Sequence, residues 1–335
     1  MSGGFRLPPF PSASLPQIPT EAAGACALCS ASQFTEFAAG YDYELETCGN
    51  QWHFARCRSC GHVQLDPRPT AATLPTIYPP HYYSYNIDEQ VSALARKGKE
   101  ILDRFKFRSI LSHLGRAPGS FLDVGCGDGR YLRFFESALG VPRDRIFGLE
   151  LDPAVAARLQ ERGYRVTTER IESCTSIPRG SLDLVTMFHV IEHLPDPGAA
   201  VRAIAELLAD GGLIAVETPN LDATDARWFR HSLWGGYHIP RHWHLFDART
   251  LQALLEASGL EVVALRYQTG HSFWMYSFHH LFRYRLGMPR VARLFDPLRG
   301  LPLLILFTAF DKLRALLGMR TSSILAIARR PAARS

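Results

Sequence analysis

Phe121-Leu-Asp-Val-Gly-Cys-Gly-Asp-Gly129 sets Gly125, Gly127 and Gly129 on alternate positions between a short apolar strand and a helix. Glycine has no Cβ to block a positive φ or a close approach, so these three mark a loop wrapped against a small molecule. A dinucleotide fingerprint, Gly-x-Gly-x-x-Gly, needs its third glycine where Arg130 stands, which argues against NAD. A second chemistry lies upstream, where Cys26-Ala-Leu-Cys29 and Cys57-Arg-Ser-Cys60 form two Cys-x-x-Cys turns. Each turn points two thiolates at one tetrahedral ion, and a closed four-sulfur zinc shell stabilises a module with little core of its own. The 27 residues between the pairs exceed the usual spacing and imply an inserted hairpin, with Tyr41–Glu46 and Gln51–Phe54 as its strands. Cys48 is a spare thiol. A thioredoxin-like redox pair needs only one Cys-x-x-Cys at a helix N-terminus, so a second pair favours metal. A third motif, His189-Val-Ile-Glu-His193, shares its letters with a metallopeptidase signature. Ligands at i and i+4 require a helix, however, and this segment leaves a strand and reaches Pro195 two residues later.

The spacing of the glycines after the acidic Asp123 resembles motif I of class I S-adenosylmethionine-dependent methyltransferases. The likeness continues in order from Phe121 to Arg266. Phe147-Gly-Leu-Glu-Leu-Asp152 ends a second strand in Glu150, placed where a carboxylate accepts both ribose hydroxyls. Arg170-Ile-Glu-Ser173 looks like the adenine turn, with Ile171 against the base and Glu172 near its amino group. Leu182-Asp-Leu-Val-Thr-Met187 reads as the fourth strand and runs into Phe188-His-Val-Ile-Glu-His-Leu-Pro-Asp-Pro197, which in the resembling enzymes sits beside the transferred methyl group. The resemblance implies S-adenosylmethionine as cofactor, held by Asp123, Gly125, Gly127, Gly129, Glu150, Ile171, Glu172 and Phe188. It makes His193 a candidate general base, Glu192 its orienting partner and His189 a further candidate. Cys57-Arg-Ser-Cys-Gly-His-Val-Gln-Leu-Asp-Pro-Arg-Pro69 is in turn similar to the zinc-binding domain that precedes the methyltransferase domain in a bacterial group including nucleotide-sugar C-methyltransferases.

These loops need a scaffold, and the chain supplies alternating strands and helices. Asp196 as N-cap, Pro197 at the first helical position and Gly211-Gly212 as stop bracket one helix, with Val201, Ile204, Ala205 and Leu208 at helical period. Leu213–Asn220 is strand five, Asp247 opens another helix that stops at Gly259, and Glu261–Tyr267 is strand six. Ser322–Ala328 should be the final strand, which the resemblance implies is inserted antiparallel between strands five and six. The expected fold class is α/β: a Rossmann-like, seven-stranded class I methyltransferase sheet with a small N-terminal zinc knuckle module. Expected boundaries are a disordered tail over 1–25, rich in Pro, Ser and Gly, the zinc module over 26–68, a linker and helical lead-in over 69–118, and the methyltransferase domain over 119–335 with an edge insertion at 270–321.

Acceptor chemistry is less sharply written. After strand five come Trp228, Phe229, Trp234, Tyr237, His238, Arg241, His242, Trp243, His244 and Phe246, a run of rings and imidazoles that reads as an acceptor lid. Arg241 is placed there to pair with phosphate or carboxylate. Tyr82, Tyr83 and Tyr85 are expected to close over the same pocket. A general base matters only for reluctant acceptors, so oxygen or carbon of a sugar-like, isoprenoid-like or lipid-linked small molecule is favoured. The Asn/Asp-Pro-Pro-Tyr signature of exocyclic-amine methylation is absent after strand four, which counts against nucleic acid bases as substrate. An RNA methyltransferase using the zinc module and basic C-terminus, and a catalytically silent cofactor-binding protein, remain the alternative readings.

No charged start followed by an apolar stretch opens the chain, so the expected address is cytoplasmic, and reduced cysteines agree with it. Residues 281–335 carry 11 Arg or Lys against Asp296 and Asp311, a net charge of +9 where the whole chain carries +5. Beside this charge lies Leu301-Pro-Leu-Leu-Ile-Leu-Phe-Thr-Ala-Phe310, too short to span a bilayer. Residues 301–318 are therefore either a buried packing helix or a peripheral contact with the inner membrane face.

Overall fold

The computed structural model describes residues 7–79, 93–297 and 299–332. Tyr82, Tyr83 and Tyr85 lie outside them. The chain forms β1 (Thr20–Glu21), β2 (Phe34–Gly40), β3 (Trp52–Cys57), β4 (Val63–Leu65), β5 (Arg68–Pro69), β6 (Phe121–Val124), β7 (Ile146–Leu149), β8 (Arg165–Thr167), β9 (Leu182–Phe188), β10 (Leu208–Pro219), β11 (His244–Leu245), β12 (Glu261–Gln268) and β13 (Ser323–Arg329).

Seven of these make the central sheet in the order β12-β13-β10-β9-β6-β7-β8. The strands run parallel from β8 to β10, and β13 is antiparallel to both β10 and β12. The last strand therefore lies where the sequence placed it. Every residue of β6 and β7 is buried, as expected for strands covered on both faces. One face carries a core of Leu122, Val124, Leu149, Val185, Val201 and Ile204. The other is built on Phe121, Phe135, Leu184 and Ile327, and helix Ala93–Leu111 delivers Phe107 and Ile110 to it.

The helices start as their caps dictate. Asp152 and Asp196 accept backbone N–H bonds and are each followed by Pro, and Asp247 and Thr250 form a reciprocal capping box. One stop differs from expectation: helix Pro197–Leu207 ends before Gly211-Gly212 because Leu208 already pairs with Leu182 as strand. Gly211, at φ 73°, turns the chain inside β10.

A second sheet, β11-β4-β3-β2, crosses the boundary read from sequence. β11 comes from the segment after strand five yet pairs antiparallel with β4, His244 opposite Gln64 and Leu245 opposite Val63. The N-terminal module is thus stitched into the loop that follows β10. The hairpin between the cysteine pairs is real, but its first strand is Phe34–Gly40 and not Tyr41–Glu46. Tyr41, Tyr43 and Leu45 alternate like a strand, but Asp42 accepts from the backbone N of Leu45 at 3.1 Å and of Thr47 at 2.9 Å and folds the segment into a turn. Between β12 and β13, the expected insertion forms helices His271–His280 and Leu301–Leu316.

Candidate active site

The cofactor side is built where β6, β7 and β9 end. Gly125, Gly127 and Gly129 all have positive φ (74°, 50° and 77°), so side chains there would strain the backbone. A Cβ on Gly125 would also lie 2.5 Å from Cγ2 of Val190, because this loop presses on the loop after β9. Asp123 is buried and accepts from the Thr186 hydroxyl at 2.7 Å. Burial raises its carboxyl to about 7 against that hydrogen bond, with Glu150 nearby adding to the rise. Glu150 ties the loop to the next strand: Oε2 accepts from Gly127 N at 2.9 Å and Oε1 from Asp152 N at 3.0 Å. A positive-φ glycine loop with a braced carboxylate beside it fits the amino acid end and ribose of S-adenosylmethionine. Ile171 occupies the 3-10 turn Ile171–Ser173 but is buried in the sheet's core, while Glu172 is half-buried and 3.5 Å from Arg170.

Phe188, at the end of β9, meets the Tyr131 ring edge-on at 5.5 Å and carries the Lys106 ammonium 4.7 Å above its face. Lys106 pairs with Glu217 of β10. That pairing holds the Glu217 carboxylate below its ordinary range, although burial alone would raise it. None of Lys106, Tyr131 and Glu217 was singled out from sequence, because each is ordinary for a helix or strand until the sheet brings the three together.

His189 follows with φ 55° and is partly exposed, its Nδ1 3.4 Å from Oε1 of the fully buried Glu192. Burial opposes the charge on His189, but Glu192 and then Glu217 outweigh it and raise the imidazole. Glu192 receives the Thr218 hydroxyl at 2.9 Å. Behind it, His193 Nδ1 lies 2.9 Å from the Arg241 carbonyl and 2.9 Å from the Tyr78 hydroxyl. A carbonyl can only accept, so this pattern assigns the proton to Nδ1 and leaves the Nε2 lone pair free for a base. Burial lowers His193 to about 4, with Glu192 opposing, so the ring is neutral near pH 7. His242 stacks edge-on to His193 at 4.6 Å, and Glu192, His193 and His242 each offer a ligand atom within 4.8 Å of the others. Such a cluster can pass a proton or hold a cation. The segment Ile191–His193 is a 3-10 turn, in keeping with the rejection of the metallopeptidase match.

The expected acceptor lid is largely interior. Trp234 is 1% exposed and donates Nε1–H to Asp225 at 2.8 Å. Arg241 is fully buried and bonded to both Asp42 oxygens at 3.0 Å and to the Ile77 carbonyl at 2.7 Å. Its guanidinium therefore answers a carboxylate of its own chain, not an acidic acceptor. His238 is also buried and donates to Glu44 at 2.5 Å, and His242 Nδ1 donates to the Gly236 carbonyl at 2.8 Å. His238 and His242 do reach the His193 ring, at 6.2 and 4.6 Å. Asp42, Glu44 and Tyr78, all from the N-terminal side, complete this layer.

The four predicted zinc ligands converge. Cys26 Sγ lies 3.5 Å from Cys60 Sγ and Cys29 Sγ 3.6 Å from Cys57 Sγ, and all four sulfurs fall within 4.8 Å. Four sulfurs around one zinc at its ordinary bond length stand about 3.8 Å apart, so the set fits a closed tetrahedral shell. Ser30 (φ 58°) and Gly61 (φ 79°) make the sharp exits of the two knuckles. Cys57 would be raised by burial, but the backbone N–H groups of Cys60 and Ser59 bring its thiol down to about 7, toward the thiolate a metal requires. Cys48 is buried and is not among the clustered sulfurs.

A family model described as a methyltransferase domain matches residues 91–265. The chain belongs to the methyltransferase domain family. Its seven-stranded sheet, with an antiparallel last strand, is that of the class I S-adenosylmethionine-dependent enzymes. This methyltransferase is similar to the ubiquinone biosynthesis O-methyltransferase of Xanthomonas axonopodis pv. citri, 33% identical over 131 residues covering 37% of this chain and 53% of the relative. It is also similar to the enzyme of that name from Bordetella bronchiseptica, 31% identical over 160 residues, 43% of this chain and 63% of the relative. The chain thus spans only half to two thirds of the length of these relatives. Among solved structures, the 1,6-didemethyltoxoflavin-N1-methyltransferase of Burkholderia thailandensis aligns over 84% of this chain and 96% of its own, at 16% identity and a TM-score of 0.46.

Proposed function

We propose that this methyltransferase moves a methyl group from S-adenosylmethionine to an oxygen or carbon of a small-molecule acceptor, sugar-like or isoprenoid-like, free or lipid-linked. The observation that carries the choice of atom is the His193 ring, whose Nδ1 is engaged by the Arg241 carbonyl so that Nε2 is the basic nitrogen. Bound cofactor supplies an already activated methyl electrophile, and the protein's share is to position the acceptor and take its proton.

Asp123 and the glycine loop hold the amino acid end, Glu150 the ribose, and the Ile171–Ser173 turn the adenine edge. Phe188 closes the floor beneath the methyl. His193 Nε2 removes the acceptor proton, and Glu192, 0% exposed, stabilises the imidazolium so formed. His189, partly exposed beside Glu192 and Glu217, is the further candidate for contact with the acceptor. A free amine or thiolate would need less help from such a base, which is why oxygen and carbon are favoured. The O-methyltransferase relatives support oxygen over the portion they share. Zinc in the Cys26–Cys29–Cys57–Cys60 shell is architectural and fixes the sheet that carries β11.

The test is to incubate the protein with methyl-labelled cofactor and a cell extract resolved into lipid, nucleotide-sugar and RNA fractions. Label in the lipid or nucleotide-sugar fraction supports the proposal. Label confined to RNA overturns the acceptor class, and cofactor binding without label in any fraction identifies a silent binder.

A further inference from the structure

Helix Leu301–Leu316 is packed inside out. Its charged pair, Asp311 and Arg314, is buried at 0% and 4% exposure, whereas Leu301, Ile305, Leu306, Leu313, Leu316 and the following Leu317 are 51, 59, 58, 57, 85 and 68% exposed. The orientation is pinned. Asp311 accepts from Gly270 N at 3.0 Å, Trp274 Nε1 at 3.1 Å and Ser322 Oγ at 3.2 Å, besides Arg314 Nη1 of its own helix at 2.9 Å, so rotating the helix would break three hydrogen bonds to a buried carboxylate. Phe307 on the inner face packs parallel to Trp274 at 5.9 Å. At 100° per residue the exposed leucines and Ile305 occupy one side of the cylinder, and the insertion adds Leu286, Met288 and Leu294 at 52, 44 and 60% exposure. An outward apolar face of this extent marks an interaction site.

The charge around this face says what covers it. Arg285, Arg290, Arg293 and Lys312 are exposed, Arg299 is exposed with Asp296 3.7 Å away, and the insertion's other acid, Asp311, is buried. An apolar strip on an insertion whose exposed charges are almost all cationic matches the interface of an anionic bilayer, where leucines enter the acyl boundary and arginines meet lipid phosphates. A second copy of this chain fits less well, since a two-fold contact would set the same cations against one another. An RNA backbone would use the charge but leave the leucines in water. No helix among the described residues is long and apolar enough to cross a membrane, and a 16-residue helix about 24 Å long suits lying flat in the interface.

We infer that the outer face of helix Leu301–Leu316, with the exposed cations of its insertion, docks this protein on an anionic lipid surface. The inference stands apart from the choice of acceptor, because docking requires no turnover.

The experiment is co-sedimentation of the full chain with vesicles of phosphatidylcholine alone or mixed equally with phosphatidylglycerol. Binding is expected on the mixed vesicles only, to weaken with added salt, and to fall about tenfold or more in both Leu306→Ser/Leu313→Ser and Arg290→Glu/Arg293→Glu. Both variants change exposed side chains, and circular dichroism verifies that they fold. Wild-type protein remaining in the supernatant with mixed vesicles overturns the inference. So does a solution dimer that Leu306→Asp dissociates, or polyanion binding that persists unchanged in the leucine variant.

Discussion

Asp42 and Arg241, 199 residues apart in sequence, form a two-point ion pair at 3.0 Å with both side chains completely buried. Asp42 comes from the hairpin module and Arg241 from the loop whose carbonyl holds His193, so the pair links the N-terminal module to the proposed base. Beside it, Glu44 holds His238 at 2.5 Å, and Tyr78 reaches His193 at 2.9 Å. The N-terminal module therefore forms the back wall of the histidine cluster.

Removing one partner of a buried pair leaves the other charge uncompensated. Asp42→Ala is expected to cost about 3–5 kcal/mol in urea unfolding. The double change Asp42→Ala/Arg241→Met should cost clearly less than the sum of the single changes. The Asp42 carboxyl is raised by burial but more strongly lowered by Arg241, so its folded value is depressed. Its contribution is accordingly present above about pH 4 and is lost as pH falls through the folded value.

Zinc is expected as a single equivalent by elemental analysis of the purified protein. Chelation, or Cys57→Ser, should loosen the β2–β4 sheet and with it β11, lowering methyl transfer even though no cysteine of the cluster reaches the proposed base. Retained near-ultraviolet dichroism and turnover after complete zinc removal would show that the metal has no such role.

The histidine layer makes stability fall in mild acid. His193, His244 and His280 are lowered to about 4 and His242 lies well below its ordinary value, in each case mainly by burial. A depressed imidazole favours the unfolded chain once that chain protonates, so this stability is intact above about pH 6.5 and is lost as pH falls toward about 4. His189 runs the other way: its value is raised, so its contribution is full below about pH 6.5 and fades as pH rises through the folded value. Urea midpoints should drop between about pH 7 and about pH 5, less steeply in His280→Gln. A flat profile would contradict the assignment of neutral rings.

His193→Ala should lower kcat about a hundredfold or more while leaving cofactor affinity unchanged. Equal loss in kcat and in cofactor binding would make His193 structural instead.

Local chemistry made much of this fold legible. The three glycines, the Asp196-Pro197 and Asp247 caps and the two cysteine turns act within a few residues, and the place of the last strand followed from the family that the glycine motif resembles. The Asp42–Arg241, Glu44–His238 and Lys106–Glu217 pairs were not legible, since each joins segments more than a hundred residues apart. Arg241 was read as a ligand residue because nothing near it in sequence announces Asp42. The outward apolar face of Leu301–Leu316 was equally hidden: composition shows leucines, but only the buried Asp311 network fixes which way they point.

Calorimetric titration with S-adenosylhomocysteine tests the central claim, that the glycine loop and Glu150 hold the cofactor. Saturable binding is expected for the wild-type chain, weakened about 30-fold in Glu150→Ala through loss of about 2 kcal/mol of charge-assisted hydrogen bonding. Gly125→Val should abolish it, since its Cβ would meet Val190 at 2.5 Å on a backbone with φ 74°. No binding by folded wild-type protein, or equal affinity in both variants, would contradict the account.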